Sequence, residues 1–219
     1  AKVLVDACQS LAHKSIAVQS LGADFLVGSS HKLCGPTGMG FLWASQETLM
    51  AMPPFLGGGE MIQEVFLDHS TWAELPHKFE AGTPAIGEAI GMGAAITYLQ
   101  TLGLDAIQAW EAELTTHLFG RLQSINGLRI LGPTPEQQPD RGALATFVVE
   151  GVHANDIAAM LDLSGVCIRS GHHCCQPLHR LYGVTGSARA SLSFCTTHAE
   201  IDRFAHELVS VISFFREHG

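Results

Sequence analysis

The chain has 219 residues, 12 basic and 21 acidic, with a formal charge of −9. At 47% hydrophobic and 15% charged, it is the reverse of a disordered sequence. Its acidity argues against nucleic acid or an anionic membrane as the main partner, though not against one local anion site.

The length suits one large or two small domains. No apolar run approaches the ~18–20 residues that span a bilayer; the densest, Ile86 to Leu99, is broken by Glu88 and several glycines. Six irregularly placed cysteines are too few for a disulfide scaffold, so a reducing compartment is expected: the cytoplasm, or an organelle stroma in a eukaryote. The start, AKVLVDACQS, lacks an initiator Met and any targeting character and begins inside a strand. We therefore expect a piece of a longer protein.

In chain order, Lys2 to Asp6 and Asp24 to Ser29 read as buried strands of an α/β sheet with polar residues at their ends. Gly35 to Gly40 is a turn, and Phe41 to Trp43 a returning strand. Met52 to Thr71 reads as a long loop. Thr83-Pro84 predicts a helix start, Thr as N-cap and Pro first, running to about Thr101 with Gly103 as stop. Ile107, Trp110, Leu114, Leu118 and Leu122 mark one face of a helix over about Asp105 to Ile125. Then follow strands at Leu128 to Leu131 and Ala143 to Val149, a short helix after Asn155, and strands at Val166 to Arg169 and Arg189 to Phe194. A capping box, Thr197-x-x-Glu200, opens the last helix. The expected organisation is a sheet-bearing part over 1–100 and a small α+β domain over 101–219.

Polar residues at strand ends are where α/β sheets bind ligands. Lys32 follows a buried strand and precedes a glycine-rich turn, where partial desolvation suits Schiff-base chemistry; alone it reads as a surface lysine. Asp6 ends the preceding strand. A carboxylate and a lysine meeting in one crevice match the needs of pyridoxal 5'-phosphate (PLP), although Asp6 alone reads equally as a turn former. Ser29 and His31 flank the lysine and suit a phosphate and a ring oxygen.

RSGHHCC, Arg169 to Cys175, is the second cluster. His172 and His173 beside Cys174 favour a thiolate nucleophile if either is protonated. Two His and two Cys also suggest zinc, but four consecutive residues wrap one tetrahedral ion poorly. Arg189, at the expected mouth of the last strand, suits a substrate carboxylate, or a plain surface ion pair. Cys167 and Cys195 read as core residues.

VDACQS, SSHKLCGPTGMG, FEAGTP, RSGHHC and RASLSF together resemble the group II, SufS-like cysteine desulfurases and their selenocysteine lyase relatives, PLP enzymes of fold-type I. Order and approximate spacing agree from Ala1 to the C-terminus. The resemblance implies a mostly parallel large-domain sheet followed by a smaller α+β domain. It implies that Lys32 forms the Schiff base and moves the Cα proton, that Asp6 pairs with the pyridinium nitrogen, and that Gln9 contacts the ring hydroxyl. Ser29 and His31 match phosphate ligands, Thr83 a residue reaching the neighbouring subunit's phosphate in a homodimer, and Arg189 the substrate-carboxylate arginine. Cys174 matches the sulfur-accepting nucleophile. L-cysteine as substrate, L-alanine as product and a SufE-like acceptor supplying iron–sulfur cluster assembly follow by the same resemblance. Other readings are a selenocysteine lyase or another fold-type I lyase or aminotransferase, a non-catalytic scaffold, and a metal module at 172–175. Two departures stand out: Cys175 follows Cys174 where the family usually has a small non-thiol residue, and the family chain is longer at its N-terminus.

Overall fold

The computed structural model describes residues 1–218. The chain forms two compact units, divided after Asp105.

In the first unit, strand β1 (Leu4–Asp6) pairs parallel with β2 (Phe25–Ser29), and β3 (Gly40–Ala44) returns antiparallel to β2, in the order β1-β2-β3. The small sheet is thus mixed. Gly28 makes its centre possible: a Cβ there would lie 2.5 Å from the Phe41 ring and 2.6 Å from Leu11. Leu26 is buried as expected, but β1 is not, with Leu4 54% exposed. It is the outer strand of this sheet, with β2 as its one neighbour.

Helix α1 (Gln46–Ala51) lies outside the expectations; Ser45 Oγ caps it, accepting from the Thr48 N–H at 3.2 Å. The stretch expected as a loop contains a hairpin, β4 (Ile62–Val65) with β5 (Ser70–Trp72). Its tip, Val65 to Leu67, is exposed, so no buried face imprints an alternating pattern that could have revealed it.

Helix α2 (Ile86–Leu102) starts later than Thr83-Pro84 suggests. Ala85, at ψ 78, holds the N-cap position without any side-chain cap. Pro84 and Ala85 therefore precede the first helical residue, Ile86. Gly103, at φ 85, ends α2 as expected.

The second unit holds all but the first two residues of α3 (Leu104–Gln123), with β6 (Leu128–Leu131), β7 (Leu144–Val149) and α4 (Ala154–Leu163). It continues with β8 (Arg169–Gly171), α5 (Gln176–Tyr182), β9 (Ser187–Ser191) and α6 (His198–His218). The four strands form an antiparallel sheet ordered β6-β7-β9-β8. Alternation along β7 buries Ala145, Phe147 and Val149 against Leu118, Phe119 and Leu122 of α3 and Phe204 and Leu208 of α6. The capping box forms as read: Thr197 N–H reaches Glu200 Oε2 at 2.8 Å, and Glu200 N–H reaches Thr197 Oγ1 at 3.3 Å.

Two strands are displaced from their expected places. Val166 N–H closes the end of α4 on Leu161 O at 3.0 Å, so pairing with β9 begins only at Arg169. At the other edge a turn from Ser193 to Thr196 (2.9 Å) takes the chain out of the sheet, leaving β9 over 187–191 rather than 189–194. Helix α5 was not foreseen, although Pro177 in its first turn and left-handed Gly183 at its end are ordinary start and stop signals. No helix among the described residues is long and apolar enough to cross a membrane.

Candidate active site

Parallel pairing brings the carboxyl ends of β1 and β2 together; Ala7 N–H bonds Val27 O at 3.0 Å. Asp6 stands at the first end, and Ser29 and Lys32 at the second, Lys32 closing a single turn of 3₁₀ helix, Ser30–Lys32. Asp6 accepts the Cys8 N–H at 3.0 Å. The Cys8 thiol, then its N–H, and more weakly the Lys32 charge hold the Asp6 carboxyl below the usual carboxylate range. The same contact, reinforced by burial, pushes the Cys8 thiol up. The pair expected from the sequence therefore shares one electrostatic neighbourhood, with Asp6 ionised. Cys8 is a participant that the sequence reading passed over.

Ser29 Oγ and His31 Nδ1 lie 2.8 Å apart, so these two expected phosphate ligands form one polar group. Beneath them Ser30 Oγ is fully buried without a partner. A Cβ on Gly35 would collide with it, which is why the turn after Lys32 opens with glycine. Gln9 and Thr83 are exposed, Gln9 just after Asp6 and Thr83 in the bend before α2.

The second cluster lies in the turn from β8 to α5. His173 and Cys174 both have left-handed backbone, φ 50 and 62, unusual for residues with a Cβ. A buried network holds them there. Ser187 O accepts from His173 Nε2–H at 3.1 Å; a carbonyl cannot donate, so that nitrogen carries the proton. Ser187 Oγ lies 3.1 Å from the same nitrogen and 2.8 Å from Nε2 of buried His179. His179 Nδ1–H donates to Cys175 O at 3.1 Å, leaving Nε2 to accept the Ser187 hydroxyl proton. His173 Nδ1 is thereby an unpartnered buried lone pair. Burial first, and then the Arg189 charge, hold the His173 imidazole below its ordinary value.

Cys174 is exposed, and Arg169 Nη2 donates to its Sγ at 3.8 Å. Arg169 is the cross-strand partner of Arg189. Arg189 is thus central in β9 rather than at a strand mouth, because β9 begins two residues earlier than expected. Like charges directly opposite are unfavourable unless an anion joins them, and Arg189 Nε is buried with no acceptor. His179 and Ser187 were missed in the sequence reading, and Arg169 stood in the cluster read there without a role of its own.

Cys167 and Cys195 are exposed rather than core, and they line one cavity of about 340 Å³. The displaced strand ends explain this, since neither residue lies inside the sheet. Among the described residues no three His, Cys, Asp or Glu side chains gather to hold a metal ion.

A mixed α/β unit with lysine and carboxylate at its strand ends and a small antiparallel unit with a cysteine turn define a PLP-type architecture. The family model of aminotransferase class-V matches residues 1–204, and the chain belongs to that family. It is 58% identical over 217 residues to a probable cysteine desulfurase of Synechocystis sp., covering 99% of this chain and 51% of the relative. The structure of the cysteine desulfurase CsdA from Escherichia coli matches with TM-score 0.90 at 36% identity, covering 97% of this chain and 52% of CsdA. The apo cysteine desulfurase of Thermococcus onnurineus matches with TM-score 0.92 at 36% identity, covering 98% and 53%. The fold-type I class expected from the sequence agrees with these matches. The chain spans about half the length of the curated relatives it matches.

Proposed function

We propose that these residues form the lysine and cysteine-loop half of a PLP-dependent cysteine desulfurase. It would convert L-cysteine to L-alanine and leave the sulfur as a persulfide on Cys174. The observation that carries this reading is the Cys174 sulfur 3.8 Å from Arg169, itself the cross-strand partner of Arg189. A thiol beside one arginine whose strand partner is a second arginine supports a nucleophile next to a carboxylate site, as an amino acid with a reacting sulfur requires. The names of the relatives point the same way.

The residues of the first unit fit the cofactor. An ionised carboxylate and a lysine in one electrostatic neighbourhood suit a protonated pyridine nitrogen and an aldehyde carbon. PLP, when bound, supplies an electron sink for the charge left by a departing Cα proton. In this reading Asp6 holds the proton on the ring nitrogen and Gln9 meets the ring hydroxyl. Ser29 and His31 bind the phosphate, and Thr83 that of a dimer partner. Lys32 holds the cofactor and moves the Cα proton. Arg189, with Arg169, fixes the substrate carboxylate, and the Cys174 thiolate takes the sulfur. A SufE-like acceptor would then collect it for iron–sulfur cluster assembly, in the cytoplasm.

The test is a visible absorption spectrum of the purified chain with PLP, beside Lys32→Ala. A band in the parent and none in the variant is expected. A band of equal strength in both overturns the Lys32 assignment. No band in either means that these residues do not suffice to hold the cofactor.

A further inference from the structure

We propose that Cys175 is a second sulfur-carrying thiol, which takes the outer sulfur from a persulfide on Cys174 into a more sheltered position. The source of that sulfur rests on the desulfurase reading; the transfer itself does not.

The two neighbouring thiols occupy different surroundings. Cys174 is exposed beside the Arg169 guanidinium. Cys175 is half-buried, and its Sγ lies 3.1 Å from His172 O and 3.8 Å from Nδ1 of buried His179. The turn cannot easily swing them apart. Cys175 N–H is bonded to His172 O at 2.9 Å, its carbonyl receives His179, and His173 is anchored on Ser187.

Adjacent Cα atoms are about 3.8 Å apart, closer than the ~4.4–6.8 Å of ordinary disulfides. A direct Cys174–Cys175 disulfide is therefore strained. A persulfide is longer by one S–S bond, about 2.05 Å, so the transfer requires the two Sγ atoms only to flank its outer sulfur and not to bond each other. The exchange balances without any oxidant. Cys175 loses its thiol proton to solvent and attacks the outer sulfur. The bond from that sulfur to Cys174 breaks, and its electron pair leaves on Cys174 beside Arg169 before reprotonation from solvent. The net change is Cys174–S–SH plus Cys175–SH to Cys174–SH plus Cys175–S–SH. The sulfane sulfur keeps its oxidation state, and Cys174 is free again.

The experiment loads the reduced chain with inorganic polysulfide, without PLP or L-cysteine, then alkylates it and locates the added sulfur by fragment-ion mass spectrometry. In the parent, sulfur appears first on Cys174 and then on Cys175. In Cys174→Ser, loading of Cys175 falls roughly tenfold, because direct access is poor. In Cys175→Ser and Cys175→Ala, Cys174 still loads, and cyanide strips its sulfur roughly tenfold faster than it strips the parent's. Circular dichroism confirms that each variant is folded. Sulfur that never reaches Cys175 in the parent, or that reaches it at the parent rate in Cys174→Ser, overturns the proposal. Because no turnover is involved, a failed desulfurase assay and a failed transfer are separate results.

Discussion

The two candidate sites are built by different means. In the first unit Asp6 and Lys32 are exposed, and backbone topology places them: parallel strands end side by side, and the Cys8 N–H orients the carboxylate. In the second unit Cys174 sits in a left-handed turn that no regular element imposes. It is held by Ser187, His173 and His179, buried or half-buried beneath it. A site placed by topology tolerates changes in the side chains around it, whereas one placed by a side-chain network depends on single hydroxyls and ring nitrogens.

The largest expected effect separates the sites chemically. On the desulfurase reading, Cys174→Ala in the full-length protein should lower persulfide formation from L-cysteine by roughly 10³-fold or more, since it deletes the proposed nucleophile. PLP absorbance should be unchanged, because none of the proposed cofactor contacts is made by this thiol. Parallel measurement of both decides the matter; a variant that loses its PLP band as well would show that the sites are not independent.

Legibility in the sequence follows the same division. Asp6 and Lys32 were readable because apolar runs ended in polar residues, and strand ends are where α/β sheets bind ligands. Leu114, Leu118 and Leu122 were readable because a helix with one buried face repeats its apolar residues. The hairpin at Ile62 to Trp72 was not, because its tip buries nothing. Nor was the Ser187–His179 contact, since polar residues that satisfy one another across a turn leave no periodic trace. Arg189 was recognised as a functional candidate but misplaced in its strand, because RASLSF is apolar beyond the point where the turn at Ser193 ends pairing.

Packing extends the comparison. The second unit buries a continuous cluster including Phe147, Leu118 and Leu208, whereas the sheet of the first has Leu26 as its one fully apolar buried side chain of size. Phe147→Ala should cost about 3–5 kcal/mol, read from urea unfolding monitored in the second unit. A cost under about 1 kcal/mol would mean that this core collapses around the gap far more readily than cores do.

The network beneath Cys174 predicts a pH response. His173 is held below its ordinary value, near 6.5, by burial and by Arg189. Between that value and its lower folded value, the unfolded chain binds a proton that the folded chain does not. The stability contribution is therefore complete above about pH 6.5 and is lost as pH falls through the folded value. His173→Gln should flatten this acid limb, and an unchanged limb would assign it to other groups. Ser187→Ala, which leaves His179 Nε2 without its donor, should cost about 1–3 kcal/mol at neutral pH.

The smallest effect contrasts helix starts. Helix α2 opens without any side-chain cap, and α6 opens with a reciprocal one between Thr197 and Glu200. The Thr197 hydrogen bonds hold the Glu200 carboxyl below the usual range, so the box weakens as Glu200 is protonated in acid. Thr197→Ala should cost about 1 kcal/mol, while Thr83→Ala should leave helix stability nearly unchanged, because Thr83 does not cap α2. Thermal unfolding of the two variants measures the difference. A Thr83→Ala loss as large as that of Thr197→Ala would show that Thr83-Pro84 does cap α2, as the bare sequence suggests.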